Sequence, residues 1–115
     1  MHELSITQNI LEIALDYATR NQAKQIIKIY LQVGEISDLE DEWIQRYFDF
    51  VSKDTIAGGA RLEISRVPAR LQCSQCSFIF SLDKSTWNTQ CSSCQSKETN
   101  LISGREFRVE SLEVL

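Results

Sequence analysis

Histidine is nearly absent from this chain of 115 residues: there is one, His2, beside the amino terminus. Acid/base and nucleophilic schemes usually place a histidine inside a cleft rather than at a chain end, so hydrolase triads and most ordinary enzymatic catalysis are excluded. Basic charge is also scarce. Twelve Lys and Arg stand against sixteen Asp and Glu, a net charge of -4, which argues against a partner bound mainly through its phosphates. No apolar run approaches the roughly 18 residues of a membrane-spanning helix, so no membrane partner is expected. The four glycines and single proline form no repeat or low-complexity segment, and the hydrophobic content of 43% is too high for a disordered chain. What remains is a soluble globular protein of one ordinary domain, or a small domain carrying a smaller appendage.

Four cysteines are present, and they are ordered as Cys73-x-x-Cys76, fourteen intervening residues, then Cys91-x-x-Cys94. Two residues between cysteines let one tight turn aim two sulfurs at a common centre, and two such turns supply four tetrahedral ligands. Zn(II) suits that set, since thiolates are soft donors and the metal has no geometric preference of its own. Four sulfurs leave no position open for water, so the site reads as structural. Two alternatives compete. A pair of disulfides would belong with a secretory leader, which the opening MHELSITQNILEIALDY does not resemble. A redox dithiol would call for one pair beside a strand-helix unit rather than two matched pairs.

Around the cysteines the pattern is regular. Leu4 to Thr19 has helical periodicity, with Ile6, Ile10, Ile13, Ala14 and Tyr17 on one face and Ser5 with Gln8 as a candidate capping box. Ile27, Ile29, Leu31 and Val33 alternate with Lys28, Tyr30 and Gln32 as in a half-buried strand ended by Gly34. A second helix follows, capped by Ser37 or Asp38, its stripe formed by Leu39, Trp43, Ile44, Tyr47, Phe48 and Val51. The aromatics Trp43, Tyr47, Phe48 and Phe50 are read as core by their spacing. Ala60, Leu62 and Ile64 alternate into a second strand closed by Pro68, and Phe107 to Val114 reads as a third. Residues between Ala69 and Ser103 hold too little apolar material for a core, so metal binding must supply folding energy there, with Trp87 packing over the metal turns. The last strand needs partners for its backbone, and pairing it with the first two is the economical solution. The expected fold class is therefore α+β: two helices on a small three-stranded sheet, with a zinc-ribbon-like module inserted between the second and last strands. The domains expected are 1–67 with 105–115, and an inserted 68–104.

The lone histidine has two readings. In a frayed terminus it is often no more than solvated decoration. Chemically, however, the amine of Met1, the amide nitrogen of His2 and its imidazole Nδ1 close fused chelate rings on one metal, with Glu3 available for a fourth donor. Such a nitrogen-rich, in-plane set favours Ni(II) or Cu(II) over tetrahedral zinc.

In context the string is more specific. MHELSI at the start, VGEISDLE before the second helix, AGGARLEI after it, the paired Cys-x-x-Cys and the terminal GREFRVESLEV closely resemble the HypA/HybF family of hydrogenase nickel-incorporation proteins, over essentially the whole chain. The resemblance implies a cytoplasmic nickel metallochaperone, not an enzyme, acting in [NiFe]-hydrogenase maturation. It implies Ni(II) as transient cargo at Met1, His2 and Glu3, His2 being the essential ligand, and structural Zn(II) at Cys73, Cys76, Cys91 and Cys94. Implied partners are a nickel-handling accessory GTPase and the [NiFe]-hydrogenase large-subunit precursor. Urease accessory proteins are an alternative recipient, and the expected state is a monomer or weak homodimer. Two departures stand out. Ser77 and Gln95 follow the cysteine pairs where many members of that family have glycine, which bears on turn geometry but not on ligand count. No histidine flanks the cysteines, so imidazole cannot couple the zinc site to pH or nickel here.

Five acids lie within Glu35, Asp38, Glu40, Asp41 and Glu42, read as a solvated helix start or else a docking surface for basic groups. Two other function classes remain. A zinc ribbon that binds nucleic acid or protein is opposed by the near balance of Arg70, Lys84 and Lys97 against Asp83 and Glu98. A dithiol oxidoreductase is separated by metal content, since it would bind neither zinc nor nickel.

Overall fold

The computed structural model describes the backbone of residues 2–115 and the side chains from Leu4 onward. Its elements run α1 (His2–Arg20), β1 (Ile26–Gly34), α2 (Asp41–Val51), β2 (Arg61–Val67), β3 (Arg70–Cys73), β4 (Ile79–Ser81), β5 (Thr99–Ser103) and β6 (Phe107–Val114). Two three-stranded sheets result, ordered β2-β1-β6 and β4-β3-β5. This is the α+β architecture expected, with the last strand joined to the first two. Two compact units divide the chain. One holds the described residues up to Gln32 together with Leu39–Ser65 and Phe107–Leu115; the other holds Val33–Asp38 and Arg66–Glu106. No helix among the described residues is long and apolar enough to cross a membrane.

In the larger unit α1 buries Thr7, Ile10, Leu11, Ala14 and Ala18, a stripe at helical spacing that packs on α2 and β6. Thr7 is accommodated because its Oγ1 donates to the Leu4 carbonyl at 3.0 Å. The helix ends in a Schellman motif: Ala23 N–H bonds the Ala18 carbonyl at 2.9 Å and Gln22 N–H bonds Thr19 at 3.1 Å, with Gln22 left-handed at φ 56. β1 lies central because its run Ile26, Ile29, Leu31 and Val33 is wholly buried.

Four local expectations are corrected. The helix already begins at His2, so Ser5 lies inside it and forms no capping box with Gln8. α2 is capped by Glu40 without a side-chain bond, not by Ser37 or Asp38, because the helix starts only at Asp41; Ser37 lies in a turn that its N–H closes on the Gly34 carbonyl at 3.1 Å. Its first turn instead carries Asp41 and Glu42, which favour the positive end of the helix dipole. Only one aromatic of the α2 stripe, Phe48, is fully buried, beside Ile44, whereas Trp43 and Phe50 are 46% and 71% exposed. Residues one position away on a helix are rotated by about 100°, which turns Trp43 off the face that holds Ile44. Ile13 and Tyr17 on α1 are likewise exposed.

In the smaller unit Ala69, Leu71 and Leu82 form the core, with Ile36, Phe80 and Leu101 packed against it. The segment Val33–Asp38 is bound into it by backbone hydrogen bonds, Glu35 N–H to Val67 O at 2.8 Å and Ile36 N–H to Gly104 O at 3.0 Å. Trp87 is 53% exposed rather than a core side chain, in a loop closed by Trp87 N–H to Asp83 O at 2.8 Å. Gly34 and Gly104 meet backbone to backbone. A Cβ built on Gly34 would collide with the Gly104 carbonyl, and Gly104 itself has φ +117.

Gly34→Ala is therefore expected to destabilise the protein by about 1–3 kcal/mol, the range of an overpacking substitution. Gly59→Ala meets nothing within 4 Å and carries only the strain of φ +82. Urea denaturation of the two variants checks the order: Gly34→Ala should show the lower midpoint, and equal midpoints would contradict the close approach.

Candidate metal centre

Cys73 ends β3 and Cys91 follows the loop after β4; both are buried, while Cys76 and Cys94 are exposed. Each pair sits in a turn of one design. In the first, Ser77 N–H bonds the Cys73 carbonyl at 3.0 Å and Cys73 N–H bonds Phe78 O at 2.9 Å; in the second, Gln95 N–H bonds the Cys91 carbonyl at 2.9 Å and Cys91 N–H bonds Ser96 O at 2.9 Å. Backbone amides also point at sulfur: Gln75 N–H lies 3.4 Å from Cys73 Sγ, and Ser93 and Cys94 N–H lie 3.4 and 3.5 Å from Cys91 Sγ. The repeated pattern follows from the spacing, since two residues between cysteines give a single turn whose free amides face the first sulfur.

Closing such a turn needs a left-handed residue just after the second cysteine. Ser77 and Gln95 occupy those places at φ 65 and φ 61. Both turns therefore close without glycine, with the strain carried by two side-chain-bearing residues.

The two turns are held to each other. Ser74 N–H and Oγ both donate to the Glu98 carbonyl, at 2.9 and 2.8 Å, and Gln75 Nε2 donates to the Glu98 carboxylate at 2.6 Å. Thr99 Oγ1 donates to Thr89 O at 2.6 Å, anchoring β5 beside the second turn. Neither Glu98 nor Ser74 stands out in the sequence, because their role depends on which turn faces which.

The result is four free thiols whose Sγ atoms all lie within 4.8 Å of one another, with Cys73 to Cys94 at 3.5 Å and Cys76 to Cys91 at 3.6 Å. A tetrahedral ion with metal–sulfur bonds of about 2.3 Å requires sulfurs about 3.8 Å apart. The donor set thus fits a metal ion such as zinc. Among the described residues this is the group of metal-ligating side chains that converges on one point.

The surroundings also divide the proton affinities. Amide donation from Cys76 and Gln75, with the neighbouring thiols, outweighs burial and lowers Cys73 to about 6; donation from the Cys94 amide lowers Cys91 in the same way. At Cys94 the Ser96 amide pulls downward, but Cys73 as an acceptor, burial and the other sulfurs together raise it to about 12. One thiol is thus ready to give up its proton near neutrality and another holds it until a cation arrives.

Of the other candidate residues, the backbone of His2 and Glu3 lies in the first turn of α1. Their side chains, and all of Met1, fall outside the described residues.

Comparison with known proteins agrees with this arrangement. A family model described as "Hydrogenase/urease nickel incorporation, metallochaperone, hypA" matches residues 1–114. The chain is 37% identical over 114 residues to the hydrogenase maturation factor HypA of Dehalococcoides mccartyi, covering 99% of this chain and 94% of the relative. Its counterpart in Geobacter sulfurreducens is also 37% identical, with 99% of each chain covered. Among solved structures, the solution structure of the Ni metallochaperone HypA from Helicobacter pylori is similar with TM-score 0.70 and 25% identity, covering 98% of this chain and 97% of that one. A second solution structure, of a HypA protein, gives TM-score 0.78 and 28% identity over 100% of this chain and 97% of the other.

Metal and protons compete for the same sulfurs, so metal affinity should fall as pH is lowered through about 6, where Cys73 takes up its proton. Binding near neutral pH should release protons, Cys94 among them, detectable as buffer-dependent heats in titration calorimetry. Affinity that stays constant between pH 7.5 and 5.5 would contradict the thiolate assignment. Ser77→Gly and Gln95→Gly should each stabilise the metal-loaded fold by up to about 1 kcal/mol, relief of left-handed strain less the added freedom of the unfolded chain, read as a higher melting temperature.

Proposed function

Because the chain belongs to the HypA family of hydrogenase and urease nickel-incorporation metallochaperones, we propose that it takes up Ni(II) through Met1, His2 and Glu3 and delivers it for maturation of [NiFe]-hydrogenase. As a metallochaperone and maturation factor it is not an enzyme. The observation that carries the reading is a family match that starts at residue 1 and includes the one histidine of the chain.

The chemistry at that end is suited to the cargo. A neutral imidazole, the His2 amide, the Met1 amine and the Glu3 carboxylate make a nitrogen-rich set that favours square-planar Ni(II). Amides in the first turn of a helix have no intrahelical acceptor, so recruiting the His2 nitrogen costs α1 no hydrogen bond. Few ligands at a chain end allow release one at a time to a receiving protein, which a carrier needs.

Cys73, Cys76, Cys91 and Cys94 serve a different purpose in this reading. They hold Zn(II) as a closed four-thiolate site, with no position left for water or cargo. The zinc stabilises the inserted domain 68–104, and the nickel-binding domain comprises 1–67 and 105–115. A nickel-handling accessory GTPase and the hydrogenase large-subunit precursor are the partners proposed, in the cytoplasm. Urease is the alternative recipient.

His2→Ala should abolish nickel binding in calorimetry of the untagged protein while zinc content and helix signal stay unchanged; retained nickel affinity, or loss of fold, would refute the assignment. Nickel affinity should also fall as pH is lowered, because only the neutral imidazole and the neutral amine bind the metal. Adding residues before Met1 should weaken binding, and unchanged affinity would remove the amine from the ligand set. Cys73→Ser should release zinc before any loss of helix signal.

A further inference from the structure

The two flanks of α2 are finished differently. On one, the Gln45 side chain reaches to the β2 edge, its Nε2 donating to Ala60 O at 3.1 Å and its Oε1 accepting from Leu62 N–H at 2.8 Å, so that flank is closed within the fold. The other carries Trp43, Tyr47 and Phe50, an i, i+4, i+7 series that forms one ridge about 10 Å long. Trp43 and Phe50 are exposed, Tyr47 is half-buried, and the Trp43 and Tyr47 rings lie 6.2 Å apart. The core takes Ile44 and Phe48 from the same helix and has no use for these three rings. A contiguous aromatic ridge left in water is the mark of an interaction surface.

The charge of the chain is concentrated at this ridge. Between Glu40 and Asp49 four acids stand against one base, a net charge of -3 within ten residues, whereas the rest of the chain holds twelve acids and eleven bases. Arg46 shows what the ridge recognises. Its guanidinium carbon lies 4.9 Å from the Trp43 ring centroid while Nη2 bonds the Glu42 carboxylate at 2.7 Å, so an aromatic face and a carboxylate hold one cation between them. Phe50, four residues on, is left bare at 71% exposure, and the neighbouring Asp49 uses only Oδ1, which accepts from Gln45 Nε2 at 2.8 Å.

We infer that this ridge docks a cationic amphipathic helix of a partner protein. The apolar stripe of that helix covers Trp43, Tyr47 and Phe50, and the Lys or Arg flanking the stripe meet the exposed carboxylates of Glu40 and Asp49. A helix is the occupant because the middle of α2 offers no free backbone groups to pair with an extended segment, whereas side-chain ridges spaced by three and four residues fit the grooves of another helix. A cation is required at its flanks because anionic partners, whether phosphates, an acidic helix or a second copy presenting the same -3 ridge, are repelled. The rings supply the attraction and the carboxylates supply selectivity, since exposed ion pairs add little affinity by themselves. The inference is independent of which metal the amino terminus carries.

Tryptophan fluorescence of the full-length zinc-loaded protein tests this, because Trp87→Phe leaves Trp43 as the one tryptophan of the chain. The probe is a synthetic helix of about 14 residues with leucine on one face and lysine flanking it, beside the same peptide with glutamate in place of lysine. The lysine peptide should bind with a Kd below about 100 µM at roughly physiological salt and shift Trp43 emission to the blue, and the glutamate peptide should not. Glu40→Lys with Asp49→Lys should weaken binding at least about tenfold, and Phe50→Ala at least about fivefold, each variant checked for fold by circular dichroism. Glu110→Lys with Glu113→Lys on β6 makes the same change of net charge and should leave binding unaltered. A Kd above that limit, equal binding of the glutamate peptide, or indifference to Phe50→Ala would overturn the inference. An equal loss in the β6 variant would reduce it to general charge attraction and overturn the ridge as the site. A blue shift that grows with protein concentration alone would show a second copy on the ridge, and would overturn the choice of partner.

Discussion

Four sulfurs within 4.8 Å of one another cannot all carry charge unless a cation lies among them, and the smaller unit is built around that constraint. Its apolar core is only Ala69, Leu71 and Leu82 with three half-buried neighbours, far less than a domain of this size needs to fold by burial. Several of the unit's other interactions support the sulfurs. Backbone amides face Cys73 and Cys91, Glu98 ties the first turn to β5, and Ser77 and Gln95 accept left-handed conformations to close the turns. Binding energy from a metal at this site would be folding energy, and the strained residues are held by the turn hydrogen bonds to the Cys73 and Cys91 carbonyls.

A closed four-thiolate site is a poor carrier. It leaves no vacant position and would give up its ion only as the unit unfolds. The proposed cargo site has the opposite character: nitrogen and oxygen donors, a different preferred metal, and a place at the start of α1, where the backbone amides are not committed to the helix. In that proposal, ligand softness separates a permanent ion from a transient one, so that one small chain would handle two divalent metals without exchanging them.

Sequence periodicity made the architecture legible because both helices and all three strands of the larger sheet bury enough apolar surface to leave a pattern. The cysteine spacing was legible for the same reason that it works, one turn per pair. What could not be read were features decided by tertiary context. Trp43 and Ile44 are both apolar neighbours, and only the docking of α2 decides that Ile44 faces inward and Trp43 outward. Ser37 is a good helix cap by type, yet α2 starts only at Asp41, beyond the turn that Ser37 closes on Gly34. Trp87 has the size to fill the core of a small metal module, yet it is half exposed in a loop closed on Asp83. Gln45, which seals the β2 edge, carries no sequence signal because its two bonds reach residues fifteen and seventeen positions away.

The separation of the two metals is the central claim, and nickel-edge X-ray absorption on the untagged, zinc-loaded protein tests it most directly. The account predicts a first shell of nitrogen and oxygen donors in near-planar geometry, lost when His2 is replaced by alanine while the zinc-edge spectrum keeps its four sulfurs. Sulfur in the nickel shell, or a nickel spectrum unchanged by the His2 substitution, would contradict it.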